Sequence, residues 1–296
     1  MRVTDRSIAD SVISDLLRNK ELLLKAQTMV SSQKKVNKPS DDPIGMAQIL
    51  GYRKTISSVE QYQRNITQGK TQMEVVESVL DEIDSLLTEA RSIALEQSSG
   101  SMDTRTTVTE TVKNIYDQVL QLANTKVGQS YIFSGYQTDS APFSSDVSYN
   151  ATYHGDDGDV RVVIGENASI KINTTGEDAF RGGVNVFDIL RDLISGLENP
   201  DTDAGTSEIA TQLPLLTDAL DQITNVRAIT ASTYSRLETT ENQLAQFKVK
   251  IEDMLSGAED ASIERAVIEL QAQETAYEAS LETAAKVVQM NLMDFI

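Results

Sequence analysis

The sequence predicts a mainly α-helical protein, in which long antiparallel, coiled-coil-like helices from both chain ends flank a small β domain inserted in the middle. Apolar residues recur at alternating steps of three and four in both halves of the chain, which is the period of helices that pack along a shared seam. Near Gly128 the period changes to two, which is typical of strands. Only five prolines and fifteen glycines occur in 296 residues, so few positions interrupt a helix.

Residues 3–36 are predicted to form one amphipathic helix, in which Ile13, Leu17 and Leu24 widen the apolar face beyond a strict seam. The seam itself consists of Ile8, Val12, Leu16, Leu23, Ala26 and Val30. The segment Asn37–Pro43 ends this helix, since Pro39 disfavours the α conformation for the residue before it. A new helix is predicted to start near Pro43, because aspartate is a good N-cap residue and proline suits the first turn.

The clearest repeat in the chain lies within residues 57–97, which are predicted to be helical throughout. Its seam positions are Val59, Tyr62, Ile66, Gly69, Met73, Val76, Leu80, Ile83, Leu87, Ala90 and Ala94. Residues 98–101 end the repeat, and a second helix follows with the same spacing at Val108, Val112, Ile115, Val119 and Leu122. The short loop between these two helices predicts that they are antiparallel neighbours.

Residues 139–183 are predicted to be a small β insertion. Every second residue is apolar along 160–164 and 170–172, and the turn sequences Gly155–Gly158 and Gly165–Asn167 are typical of connections between strands. An insertion of this size is near the lower limit for independent folding, so we expect it to pack against the helices.

The second half of the chain is predicted to return to long helices. One amphipathic helix covers 184–200, a loop covers 199–205, and from Glu208 the three-and-four step resumes. The seam of this long helix is Leu216, Ala219, Ile223, Val226, Thr230, Thr233, Leu237, Thr240, Leu244, Phe247, Ile251 and Met254. Gly257 is predicted to end it as a C-terminal cap, and Ser262 to begin the last helix.

The last helix, Ile263–Ile296, is too long to bury its apolar seam against itself and needs another helix from this chain or a neighbour. We predict that its apolar face and that of residues 3–36 form an assembly interface. The interface residues are Ile8, Val12, Leu16, Leu23, Val30, Ile263, Val267, Leu270, Tyr277, Leu281, Val288, Leu292 and Phe295. In a monomer we expect these terminal segments to be mobile and to fold on assembly, where apolar burial offsets the lost entropy.

The nearly palindromic order of elements predicts that both termini lie side by side. It predicts a terminal helical assembly domain (1–50 and 261–296), a long-helix rod domain (51–138 and 184–260) and the β insertion (139–183). The first fifty residues carry a net charge of +2 and the last 36 a net charge of −4, which mildly favours pairing of the two ends.

The composition excludes several functional classes. The chain has no cysteine, which excludes disulfides, thiolate catalysis and cysteine-ligated metals. A net charge of −19 opposes binding to nucleic acid or to anionic membranes. No apolar run of about 18 residues occurs, so no membrane insertion is expected. The first residues lack the apolar core of a signal peptide, which leaves a cytoplasmic location or a dedicated signal-less export route.

The sequence predicts no enzyme, cofactor or metal site. His154 is the only histidine, whereas a catalytic triad or a histidine-based zinc site needs more partners. Asp156, Asp157 and Asp159 match no EF-hand loop and are interpreted as a solvated turn. No glycine-rich phosphate-binding motif occurs. The Asn-x-Ser/Thr sequences are attributed to chance; they begin at Asn65, Asn150, Asn167 and Asn173.

Three motifs resemble the bacterial flagellin family. Asn37–Pro43 followed by Ile44–Ala47 is similar to the flagellin-type N-terminal motif. Gln129–Gly135 with the Thr-Asp pair that follows resembles the entry to the β domain of those family members that join hook to filament. The end of the chain, Ala276–Ile296, resembles their C-termini. The two prolines and the Phe-Ser-Gly-x-x-Thr-Asp stretch favour the junction members over flagellin itself.

The resemblance implies an extracellular, structural component of the flagellum that joins hook to filament and carries no cofactor. The paired termini would form the innermost layer of a tube, the long helices a second layer, and the β insertion the outer surface. The implied partners are copies of itself in a ring, the neighbouring hook-associated protein, flagellin and a cytoplasmic export chaperone. Export through the flagellum's own type III channel would account for the missing signal peptide. A flagellin filament subunit and a secreted coiled-coil binding protein, such as an effector or chaperone, remain alternatives.

Overall fold

A computed structural model describes residues 5–98 and 105–293 of the chain, with side chains described except at residues 5–9, 202 and 287–293. Within these residues the helices are α1 (Asp5–Ser32), α2 (Pro43–Gln97), α3 (Arg105–Ala123), α4 (Gly176–Phe180), α5 (Val186–Glu198), α6 (Thr202–Glu259) and α7 (Ile263–Met293). The strands are β1 (Lys126–Val127), β2 (Ser130–Tyr131), β3 (Phe143–Ser145), β4 (Ala151–Tyr153), β5 (Arg161–Gly165) and β6 (Ala168–Lys171). Long helices from both ends and a small antiparallel β region in the middle confirm the predicted fold class.

The chain divides into two compact units. The terminal unit combines both chain ends, up to Ser58 and from Gln246 onwards. The central unit covers Val59–Ala245 and contains the strands, α3, α4 and α5. Helices α2 and α6 contribute residues to both units.

The break between α1 and α2 has a local cause at each side. Helix α1 ends at Ser32, before the predicted residue 36, because Gln33 adopts a left-handed conformation (φ 61°) that cannot continue an α-helix. Helix α2 begins at Pro43, as predicted. The carboxylate of Asp42 accepts hydrogen bonds from the backbone N–H of Ile44 at 3.1 Å and of Gly45 at 2.9 Å, which caps the helix.

The core of the central unit is built from the predicted seams of α2 and α6. The seam positions that are completely buried are Ile66, Leu80, Ile83, Leu87, Ala90, Ala94, Leu216, Ala219, Ile223 and Leu237. Lys70 pairs with Glu241 at 2.9 Å, whereas Arg91, further along α2, donates to Thr217 at 3.2 Å, earlier on α6. The two helices are therefore antiparallel within this unit, and each covers the other's apolar face.

Helix α6 differs from the prediction at both ends. It starts at Thr202, inside the predicted loop 199–205, because the Asp201 carboxylate accepts from the N–H groups of Asp203 and Ala204 at 3.1 and 3.2 Å. The prediction that Gly257 ends the helix is wrong, since α6 runs on to Glu259. The helical bonding continues past Gly257 because the N–H of Asp260 donates to the carbonyl of Ser256 at 2.8 Å.

The strands form three two-stranded antiparallel sheets within the described residues, pairing β1 with β2, β3 with β4 and β5 with β6. Strand structure begins at Lys126, just before the predicted change of period near Gly128, and the short helix α4 lies inside the region predicted to be β. The hairpin of β5 and β6 packs on the middle of α2 and α6. The buried side chains of this second core are Ile66, Met73, Ile164, Ile170, Ile172 and Leu237.

Aromatic side chains are few, yet they concentrate where β3 and β4 meet α3 and α5. Phe143 lies 5.0 Å from Phe187 and 5.2 Å from Phe180, measured between ring centroids. Tyr116 on α3 stacks edge to face on Phe187 at 5.7 Å, and its hydroxyl donates to the carbonyl of Tyr149 at 2.8 Å. The β region thus rests on the helices through aromatic packing.

Candidate assembly surface

The candidate functional surface is formed by α1 and α7, which pack against each other in the terminal unit. The amide of Asn19 donates to the hydroxyl of Ser280, and Lys34 lies opposite Asp260 in an antiparallel bridge. From Asn19 to Lys34 the residue number rises, whereas on the facing segment it falls from Ser280 to Asp260, so the two helices are antiparallel. The two terminal helices are therefore packed along each other.

The predicted interface residues of α1 whose side chains the structure describes are half-buried rather than fully exposed. Val12, Leu16, Leu23 and Val30 all have intermediate exposure. Since α1 packs mainly on α7, this face is already covered within the chain. The strict seam of the sequence therefore marks the internal contact of the helix pair.

A second apolar row of α1 is exposed. Ile13, Leu17 and Leu24 are 52–58% exposed and follow one another at steps of four and seven, so they share one side of the helix. These are the residues that widen the predicted apolar face, but the prediction did not include them in the interface. The widening of the apolar face beyond a strict seam was the signal that could have identified them.

Helix α7 presents both kinds of position. Ile263, Val267 and Leu281 are exposed, whereas Leu270 and Tyr277 are half-buried. Ile268, which the prediction omitted, is 66% exposed. The remaining predicted positions fall outside the described residues: the side chains of Ile8, Val288 and Leu292, and the whole of Phe295.

The segment that leads into α2 is fixed by Asp41. Its carboxylate accepts from the N–H of Lys38 at 3.0 Å and of Asn37 at 3.3 Å, and the Lys25 ammonium of α1 lies 3.4 Å away. Burial acts to raise the pKa of Asp41, but these donors outweigh it and hold the pKa below its usual range. The predicted flagellin-type motif thus forms an ordered turn that holds the end of α1 beside the start of α2.

The described residues offer little for chemistry. No group of three acidic or histidine side chains in residues 5–98 and 105–293 lies close enough to hold a metal ion. None of the described helices is long and apolar enough to cross a membrane. In the central unit, a groove of about 1040 Å³ runs between β6 and α6 and is lined by side chains of both charges, including Lys171, Asp221 and Arg236.

Comparison with known proteins shows that the chain is similar to flagellar proteins. Residues 5–138 match the bacterial flagellin N-terminal helical region. The chain is 27% identical to flagellar hook-associated protein 3 of Escherichia coli (strain K12) over 74% of this chain and 75% of that protein. It is 23% identical to flagellar hook-associated protein 3 of Salmonella typhimurium (strain LT2) over 99% of this chain and 98% of that protein. It is also 24% identical to flagellin of Bacillus subtilis (strain 168), over 83% of this chain and 82% of that protein.

Two solved structures share the fold. Bacillus cereus FlgL superposes with a TM-score of 0.60 at 23% identity and covers 70% of this chain and 99% of that one. Hook-associated protein 3 of Legionella pneumophila superposes with a TM-score of 0.65 at 16% identity and covers 71% of this chain and 98% of that one.

The paired terminal helices and the matched N-terminal region make the chain similar to flagellin-type structural proteins of the flagellum. Within this class, the match along nearly the whole Salmonella protein confirms the predicted resemblance to hook-associated protein 3, the FlgL-type junction protein. The similarity supports the role of a structural flagellar adaptor.

Proposed function

We propose that this chain joins the hook side of the flagellum to the flagellin filament through its terminal helices. The observation that carries the proposal is the exposed apolar row Ile13, Leu17 and Leu24, on a helix whose neighbouring apolar row is already covered by α7. An exposed apolar row of this kind is typical of a surface that another molecule covers. Each large apolar side chain buried there contributes roughly 1.5–3 kcal/mol to association.

We propose that the contacts between subunits at this surface are heterologous, which means that two different surface patches meet. Subunits that propagate around and along an axis meet through two different patches, whereas a two-fold dimer uses one patch twice. The exposed row of α1 and the exposed residues Ile263 and Val267 of α7 supply two such patches. Copies of this chain in a ring, a neighbouring hook-associated protein and flagellin are the proposed occupants.

The route to the assembly site is also part of the proposal. A cytoplasmic export chaperone holds the C-terminal region before the chain leaves through the flagellar export channel. The final location is extracellular, on the flagellum. The terminal segments fold fully only when neighbours cover them, which predicts fast backbone hydrogen exchange in α1 and α7 of the monomer relative to α2.

Replacing Leu17 by glutamate tests the surface. Leu17→Glu places a charge in the exposed row, and we expect incorporation of the chain at the hook–filament junction to fall at least about tenfold, as loss of one buried leucine implies. Ser11→Glu is the matched control, because it adds the same charge on a different side of α1. Incorporation is measured by quantifying the chain in purified flagella. Equal incorporation of both variants contradicts the proposal.

A flagellin filament subunit is the second candidate, because flagellin of Bacillus subtilis is 24% identical over 83% of this chain. The two candidates differ in the extent of assembly. A junction protein is present as a thin ring and stops, whereas a flagellin polymerises into a long filament. Electron microscopy of the purified chain at high concentration, with copy number counted per flagellum, separates them.

A further inference from the structure

Two linkers of the terminal unit are bonded to each other. One follows α1 and the other lies between α6 and α7. The N–H of Lys35 donates to the carbonyl of Glu259 at 2.8 Å, and the N–H of Ala261 donates to the carbonyl of Gln33 at 2.9 Å. We call this pairing of Gln33–Lys35 with Glu259–Ala261 the linker contact. It lies at the end of the α1–α7 pair that is nearest to α2.

A buried carboxylate lies at the centre of the linker contact. Glu259 is 4% exposed, and its Oε1 atom accepts from the guanidinium of Arg53 at 2.5 Å and from the ammonium of Lys34. Burial of a carboxylate is costly unless cations and hydrogen bonds compensate it. Here the compensation comes from α2 through Arg53 and from the first linker through Lys34. The charge is therefore compensated only when these segments meet in one arrangement.

Apolar packing alone does not define how α1 meets α7. Helix α1 has a half-buried row that contains Val12 and Leu16. Its exposed row, which contains Ile13 and Leu17, is displaced from the first by one residue. Helix α7 carries alanine on several of its sides. A rotation of α1 by about 100°, the step of one residue, would exchange the two rows. In helix pairs of this kind, a single buried polar group is a known means of specifying register.

We propose that Glu259 is a positioning residue that sets the register of α7 against α1. By pairing with Lys34 and Arg53 it holds the start of α7 at one height on α1, and this decides which apolar row is covered and which stays outside for neighbouring molecules. The last clause rests on the function proposed above, whereas the register itself is a property of the single chain.

Disulfide cross-linking tests the register, because the chain has no cysteine of its own. Asn19→Cys with Ser280→Cys marks the observed register, since these side chains are hydrogen-bonded. Lys20→Cys with Ser280→Cys marks the alternative in which α1 is displaced by one residue, so that the exposed row would face α7. The ratio of the two cross-linking yields is measured in the monomer and in assembled flagella, with Glu259 present and with Glu259→Leu. We expect Glu259→Leu to lower the ratio by about tenfold, which is the change in an equilibrium constant that the loss of a charge-assisted hydrogen bond produces.

Two further variants separate positioning from general destabilisation. Glu264→Leu removes an exposed carboxylate from the first turn of α7 and should leave the ratio unchanged. Glu259→Asp keeps the charge and should recover a large part of the ratio. An unchanged ratio in Glu259→Leu overturns the proposal, and so does the absence of a cross-link between positions 19 and 280 in both states. If the ratio shifts while Leu17→Glu still assembles normally, the register role stands and the proposed assembly surface is wrong.

Discussion

Arg227 on α6 and Glu77 on α2 are joined by two hydrogen bonds across 150 residues of sequence. The Nε and one terminal nitrogen of the guanidinium donate to the same carboxylate oxygen at 3.0 and 2.8 Å. The same terminal nitrogen donates to Asp81 at 2.7 Å. The hydrogen bond to Glu77 outweighs burial and raises the pKa of Arg227. This guanidinium fork fixes α6 at one position along α2 within the central unit.

Replacing Arg227 by methionine should destabilise the central unit. The packing of the aliphatic stem is kept, but Glu77 and Asp81 lose their shared cation, so we expect a loss of about 1 kcal/mol in the free energy of unfolding. Arg227→Lys keeps the charge without the fork and should recover only part of the loss. Urea unfolding of the full chain measures both. Arg236→Met, at an exposed position on the same helix, is the control, and an equal loss there would refute the role of the fork.

Two glycines of α2 should respond differently to the same substitution. A methyl group at Gly51 meets nothing within 4 Å, so Gly51→Ala should stabilise the helix by about 0.5–1 kcal/mol. At Gly69 the added carbon would lie 3.1 Å from Ile172 of the β5–β6 hairpin and 3.5 Å from Leu237. We therefore expect Gly69→Ala to gain little or nothing.

Gly69→Leu extends this test to the attachment of the hairpin. A leucine cannot fit between α2 and the hairpin without moving it, and we expect a loss of about 1–3 kcal/mol. Hydrogen exchange should rise at β5 and β6 while α3 and α5 stay protected. Unchanged protection of the hairpin would show that it does not depend on the close approach at Gly69.

The burial of helix seams was predictable from the sequence, whereas the use of the terminal faces was not. Leu80 and Leu87 belong to a repeat whose apolar face packs against one broad partner surface in the same chain. The spacing of the repeat alone was therefore enough to assign them to the core. In α1 the apolar arc includes both Leu16 and Leu17, and the period does not show which of two adjacent rows α7 covers. That choice depends on tertiary contacts at the distant linker, where Glu259 carries no local sequence signal.

Tyr153 should make the stability of the central unit depend on pH at high pH. Its hydroxyl donates to the carbonyls of Phe133 at 3.0 Å and of Asp156 at 3.2 Å, and burial raises the pKa of Tyr153 to about 12 from an ordinary value of 10.0. Between pH 10 and 12 the unfolded chain loses this proton while the folded chain keeps it. The contribution of Tyr153 is therefore complete below pH 10 and is lost as pH rises towards 12, by at most about 1.4 kcal/mol per pH unit.

Unfolding measured from pH 8 to pH 12 should show this fall, and Tyr153→Phe should reduce its slope. Some slope will remain, because burial also raises the pKa of Tyr116. Tyr136→Phe changes a largely exposed tyrosine and serves as the control. If Tyr153→Phe and Tyr136→Phe give the same slope, the buried hydroxyl of Tyr153 does not account for the dependence.

Removing residues 263–296 should abolish assembly and leave the central unit folded. The deletion takes away α7, so the half-buried row of α1 that contains Val12 and Leu16 loses its cover and no longer adopts one helix pairing. The core of the central unit draws on α2, α3, α5 and α6 and contains no residue of α7, so we expect a thermal transition within a few degrees of that of the full chain. Incorporation into flagella and circular dichroism measure the two effects. Normal incorporation of the truncated chain would contradict the assembly role of α7, and a lost transition would show that the central unit depends on it.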